Sequence, residues 1–85
     1  MVKTLFKNEN GSIHYGRNAP EGFIAATKED VATAIANLGV MKLWRCTVCN
    51  DMHIGMEPPE ECPTCGSIDA YVEINEQELK MVIGL

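Results

Sequence analysis

No run of apolar residues in this 85-residue chain approaches the length that spans a bilayer. The opening stretch, MVKTLFKNENGSIHYG, likewise holds no apolar core of the signal-peptide kind. The expectation is a cytoplasmic protein with no membrane partner. Basic charge is also scarce. Seven Lys and Arg stand against twelve Asp and Glu, the net charge is −5, and the longest basic element is Lys42 and Arg45 flanking Trp44. A nucleic-acid surface needs a stripe of cations to displace counterions, so no nucleic-acid partner is expected. An acidic surface serves solubility or the approach to a basic docking face on another protein. Internal repeats, low-complexity stretches, a phosphate-cradling glycine loop and a supported Ser/His/Asp arrangement are all missing, so catalysis by the chain itself is not expected.

What the chain does have is four cysteines, all between Trp44 and Ser67. At this length the hydrophobic core is marginal without a staple, which four cysteines supply either as two disulfides or as one metal site. A reducing cytoplasm favours the ligand set. Cys46 and Cys49 form one CxxC, Cys62 and Cys65 a second. Two residues between ligands make a tight turn that aims both sulfurs at one point and turns backbone N–H groups towards them. Two such turns facing each other make a tetrahedral thiolate cage, a geometry common to zinc and to iron–sulfur chemistry. Asn50 follows the first pair and Gly66 the second, and both residue types tolerate the positive φ that the turns require.

The stretch WRCTVCNDMHIGMEPPEECPTCGSIDAYVEI resembles the rubredoxin-like domain that forms the C-terminal part of rubrerythrins. The matching residues are Trp44, Cys46, Cys49, His53, Gly55, Pro59, Glu60, Cys62, Pro63, Cys65 and Gly66, with Tyr71 near a family aromatic. The resemblance implies one iron held by Cys46, Cys49, Cys62 and Cys65, passing single electrons, with zinc as the alternative metal. Around these ligands Trp44, Asn50, Asp51 and Gly66 are expected to shield the site and tune it. Asp51, where the family pattern has an aromatic residue, places a negative charge near the metal and should lower its reduction potential. The peroxidase chemistry of rubrerythrins belongs to a di-iron bundle with Glu-x-x-His motifs, and this sequence contains no such motif.

Met52, Ile54 and Met56 are read as part of the loop between the two turns and as a candidate partner contact, since flexible apolar side chains suit docking. His53 is expected to be a loop histidine making a backbone contact, and His14 carries no functional assignment. The functional expectation is a one-electron carrier, or the electron-transfer subunit of a larger, anaerobic oxidoreductase such as a flavoprotein. The alternative is a structural zinc ribbon that serves protein interaction.

The expected fold is small α+β. Residues 1–40 should form an attachment or cap. There VKTLF and SIHY make a hairpin around Asn10-Gly11, and a short helix runs through TKEDVATAIANLG, N-capped by Thr27 with Asp30 completing the box. Residues 41–85 should form the rubredoxin-like metal-binding module, with a strand at Ala70–Ile74 and a short C-terminal helix. Asn75 caps that helix, Glu78 completes its box, and Ile74 and Leu79 form a hydrophobic staple.

Overall fold

The computed structural model describes residues 2–85. Among these residues six strands form one antiparallel sheet: β1 (Thr4–Lys7), β2 (Ile13–Gly16), β3 (Ile24–Ala25), β4 (Lys42–Cys46), β5 (Met52–Gly55) and β6 (Tyr71–Ile74). Their order across the sheet is β3-β1-β2-β5-β4-β6. Two helices complete the fold, α1 (Lys28–Ala36) and α2 (Glu76–Ile83). The small α+β class expected from sequence is the class observed.

The amino-terminal hairpin forms as β1 and β2, with Leu5 opposite Tyr15 and Phe6 opposite His14. Its connection is a longer loop in which the Asn8 side chain accepts hydrogen bonds from the N–H groups of Asn10 and Ser12, each at 3.0 Å. This is an Asx-type turn, the side chain standing in for a backbone carbonyl. Thr27 and Asp30 make the capping box of α1: Thr27 Oγ1 accepts from the Asp30 N–H and Asp30 Oδ2 accepts from the Thr27 N–H at 2.9 Å. The second box is only half made. Asn75 Oδ1 accepts from the Glu78 N–H at 2.8 Å, but the Glu78 carboxylate turns instead to Arg45 Nε at 2.7 Å. A charge-assisted bond to a guanidinium outcompetes a bond to a lone backbone N–H.

Side-chain alternation splits the sheet into two unlike faces. Ile13, Leu43, Met52 and Ile54 belong to the buried core with Val31 and Ala34 of α1 and Leu79 and Ile83 of α2. Leu5, Tyr15 and Ile74 pack against the same cluster. One face of the sheet is thus covered by both helices. Residues of opposite parity, His14, Asp51, His53, Trp44, Cys46 and Tyr71, belong to the other face. Strands β2 and β5, one from each half of the sequence, pair at the centre with His14 opposite His53.

That pairing corrects the reading of the segment between the cysteine turns. Met52 and Ile54 lie on strand β5 and are 1% and 0% exposed, so they are core residues and form no docking surface. Both faces of a central strand are covered, and an MHIG segment with apolar residues at alternate positions satisfies that environment better than a solvated loop. Met56, just past the strand, is exposed. His53 is likewise a buried strand residue, and its ring bonds to His14 rather than to backbone.

Candidate metal centre

The first cysteine turn is the connection between β4 and β5. Cys46 N–H donates to Asp51 O at 2.8 Å and Asn50 N–H donates to Cys46 O at 3.0 Å, closing the turn, while Asn50 sits at φ 66°. The second turn repeats this pattern. Cys62 N–H donates to Ser67 O at 2.9 Å, Gly66 N–H to Cys62 O at 2.8 Å, and Gly66 has φ 78°. In each turn the residue four after the leading cysteine occupies the left-handed region. Glycine does so without strain, and asparagine more readily than other side-chain-bearing residues. Arg45 braces Asn50 further, its Nη1 donating to Asn50 Oδ1 at 3.4 Å.

The two turns bring Cys46, Cys49, Cys62 and Cys65 together, all four sulfurs lying within 4.8 Å of one another. Cys46 and Cys65 are 3.7 Å apart and Cys49 and Cys62 3.5 Å. These distances are far beyond the roughly 2.05 Å of a disulfide. A tetrahedral ion with metal–sulfur bonds of about 2.3 Å sets its ligands about 3.8 Å apart, so the donor set fits one such ion. No carboxylate or imidazole joins the four converging donors among the described residues. Cys46 and Cys62 are buried, Cys49 is half-buried and Cys65 is exposed, so the site has an inner and an outer side.

Backbone N–H groups face the sulfurs as the turns require: Asp51's faces Cys49, those of Thr64 and Cys65 face Cys62, and Ser67's faces Cys65. Burial pushes the Cys49 and Cys62 thiols up from their ordinary range. Ser67 acts the opposite way on Cys65: its hydroxyl, at 3.4 Å, and its N–H bring that thiol down to about 6. A cation that displaces the protons removes the conflict for Cys49 and Cys62, since the thiolate is the ligand form.

The other expected site residues divide. Gly66 and Asn50 shape the turns. Trp44 is half-buried on β4 and spends its indole N–H on Gly55 O at 3.1 Å. The aromatic hydroxyl that reaches a ligand is Tyr71, donating to Cys62 Sγ at 3.5 Å. Burial, then this bond and the nearby sulfur charges, raise the Tyr71 phenol well above its usual range. Asp51 lies close to the site, with Oδ2 3.7 Å from Cys62 Sγ, and is fully buried. Its carboxylate pairs with Lys3 and accepts from His14 Nε2 at 3.0 Å. Burial alone would raise that carboxyl. Hydrogen bonds from His14, Lys3 and Thr64, with the Lys3 charge, outweigh it and hold Asp51 below the usual carboxylate range.

Sequence reasoning passed over Lys3 and His14 because they stand 48 and 37 residues from Asp51 in the chain. Gly16 was also silent in the sequence. A Cβ there would come within 2.2 Å of Asp51 Oδ2, so only glycine leaves room for the carboxylate.

Comparison with known proteins agrees with this geometry. Residues 44–71 match the family described as rubrerythrin, rubredoxin-like domain. The chain is 45% identical over 31 residues to a protein of Methanocaldococcus jannaschii named as a rubrerythrin. It is 40% identical over 38 residues to reverse rubrerythrin-1 of Clostridium acetobutylicum. The alignments take in 36% and 44% of this chain but only 15% and 21% of those longer relatives. No solved structure matches significantly. Residues 44–71 therefore carry a rubredoxin-like domain of the rubrerythrin type, and it contains the whole cysteine quartet.

Proposed function

We propose that this chain is a one-electron transfer protein, or the electron-transfer subunit of a larger oxidoreductase, holding a single iron through Cys46, Cys49, Cys62 and Cys65. The observation that carries the proposal is the closed four-sulfur donor set inside a rubredoxin-like segment. When bound, the iron supplies a ferric/ferrous couple. Four thiolates around a trivalent ion leave one net negative charge, and an added electron makes two. The chain's part is to keep the sulfurs in place and to answer that charge. The N–H groups of Asp51, Thr64, Cys65 and Ser67 point positive ends at three of the sulfurs and favour the extra electron. Asp51 works against it, but Lys3 balances the Asp51 charge.

Electrons pass through the outer side. Cys65 is exposed, and Val48 and Ile68, beside the two turns in sequence, are 63% and 58% exposed. A flavoprotein or another oxidoreductase docking there in the cytoplasm serves as the redox partner, with no nucleic acid and no membrane involved. The chain transfers charge and makes no bonds in a substrate, so it is a carrier rather than an enzyme.

The test is metal analysis and a visible spectrum of protein isolated from its native source. One iron per chain, with charge-transfer bands that bleach on reduction and return on reoxidation, is the expected result. One zinc and a colourless solution would replace the carrier by a structural zinc ribbon, whose closed cysteine cage is the same.

A further inference from the structure

Behind the cysteine site, His14 and His53 face each other across β2 and β5 with their Nδ1 atoms 3.1 Å apart. His14 is fully buried and His53 nearly so. The proton positions follow from the partners. Asp51 is paired through its other oxygen with the Lys3 ammonium and so faces His14 as an acceptor, which places a proton on His14 Nε2, 3.0 Å from Asp51 Oδ2. With the pair neutral, His14 Nδ1 is bare and accepts, and His53 Nδ1 donates to it. His53 Nε2 is then the bare end of the line.

That end meets solvent. His53 Nε2 has no protein partner, and no fully buried side-chain polar atom lacks one among the described residues. His53 also lines an open cavity of about 300 Å³ with Asn8, Phe23, Glu57 and Pro58. Phe23 stands edge-on to His14 and tilted against His53, its ring centre 6.4 Å and 6.0 Å from theirs respectively. A continuous line therefore runs from the cavity through His53 and His14 to Asp51 Oδ2, which is 3.7 Å from Cys62 Sγ.

We infer that the His14–His53 pair is a proton site coupled to the charge of the cysteine cage: it takes up one proton from the cavity when the cage gains one negative charge. The inference rests on the one-electron reading for its purpose, though not for its test. The electron comes from the reduced flavoprotein donor and the proton from water. The proton binds His53 Nε2, the Nδ1 proton of His53 passes to His14 Nδ1, and His14 becomes the charged ring between Asp51 and neutral His53. No bond to sulfur changes, and oxidation reverses each move.

The surrounding groups favour one proton and oppose two. The Asp51 carboxylate attracts it, and Glu57 stands at the cavity as an acceptor. Lys3, paired to Asp51, opposes it. Tyr71 packs against His53 at 6.5 Å between ring centres and stays neutral. Burial first, then a charge on His14, keep His53 itself uncharged down to about pH 3.

Zn²⁺ and Ga³⁺ test this without redox chemistry, since both are diamagnetic and give the tetrathiolate cage two and one net negative charges respectively. The imidazole ¹⁵N resonances of the full chain, loaded with either ion, would be followed from about pH 5 to 9. The expected result is one proton bound per histidine pair, with its charge on His14, and an affinity about tenfold higher with Zn²⁺ than with Ga³⁺. Equal affinities with the two ions, no titration in this range, or a neutral His14 protonated on Nδ1 would each overturn the inference. An iron-loaded sample separates the two readings. There the potential should fall with rising pH by up to about 59 mV per unit, the one-electron equivalent of a tenfold change. A cycling iron whose potential ignores pH refutes the coupling and keeps the carrier. A chain that holds no redox-active iron refutes the carrier and leaves the Zn²⁺/Ga³⁺ comparison to decide the proton site.

Discussion

Strand β5 presents Met52 and Ile54 to one side of the sheet and His53, following Asp51, to the other, and the two sides are stable for different reasons. The helix-covered side is apolar burial, with Val31, Ile54 and Leu79 all at 0% exposure. Each such side chain contributes about 1.5–3 kcal/mol, indifferent to metal and nearly indifferent to pH. On the opposite side, a buried aspartate, two buried histidines and four cysteines lie together, and every buried group there needs a partner. One sheet thus carries an apolar core on one face and, on the other, a cluster of polar and ionisable groups around the cysteine quartet.

Chelation should break the comparison most strongly. Binding free energy for a closed tetrathiolate site is on the order of 10 kcal/mol and is shared with local folding. Hydrogen exchange on the metal-loaded and chelated protein should show protection lost across Cys62–Ser67, a turn outside the strands that is otherwise tied down by the Glu61–Ile68 bridge and by single bonds to Asn18, Asp51 and Tyr71. Amides of β2, β5 and α2 should remain protected. Uniform loss throughout the chain would mean that the helix-covered core cannot stand without the metal.

Next come two substitutions of similar size and different character. Asp51→Asn leaves Lys3 without its buried counter-charge and should cost about 3–5 kcal/mol. Ile54→Ala opens a cavity on the other side and should cost about 2–5 kcal/mol. Urea titrations at two pH values distinguish them. The Ile54→Ala loss should be the same at both, while the Asp51→Asn loss should shrink once the lower pH falls below the ordinary carboxylate range, where the unfolded wild-type chain takes up a proton that folded Asp51 still refuses. Equal pH dependence would erase the distinction between the faces.

A smaller effect belongs to His53. Its folded pKa lies near 3, below the ordinary 6.5, because burial and then His14 disfavour its charge. Between those values the unfolded chain binds the extra proton, so stability rises with pH and is complete above about 6.5. Its loss below that point should be about 1.4 kcal/mol per pH unit. Urea midpoints of zinc-loaded protein between about pH 5 and 7 measure this, and a folded His53→Gln variant should show a shallower slope.

The smallest expected difference lies between the two cysteine turns. Gly66→Ala forces a Cβ into the left-handed region and should cost about 1–2 kcal/mol, whereas Asn50→Gly relaxes that region and should stay within about 0.5 kcal/mol of wild type. Thermal unfolding of the metal-loaded variants would measure both. Equal losses would show that Asn50 is held by Arg45 rather than by its own backbone preference.

Much of the metal site was legible because its determinants are local. The two CxxC pairs, Asn50 and Gly66 each act within a single turn, and the same holds for the Thr27–Asp30 box and the Asn75 cap. Where a distant partner intervened, the local reading failed. Glu78 abandoned its box for Arg45, 33 residues away. Met52, Ile54 and His53 were misread as loop because their burial comes from β2, α1 and α2, none adjacent in sequence.

The sequence by itself determined the two cysteine turns, the helix starts and the amino-terminal hairpin, since each depends on side chains a few residues apart. Tertiary structure alone decided that β2 enters beside β5. That step buries Met52 and Ile54, seats Asp51 over Gly16, and sets His14 against His53 from 39 residues away. Strand pairing fixes such contacts through register, and a register is a property of two strands together that neither segment carries alone.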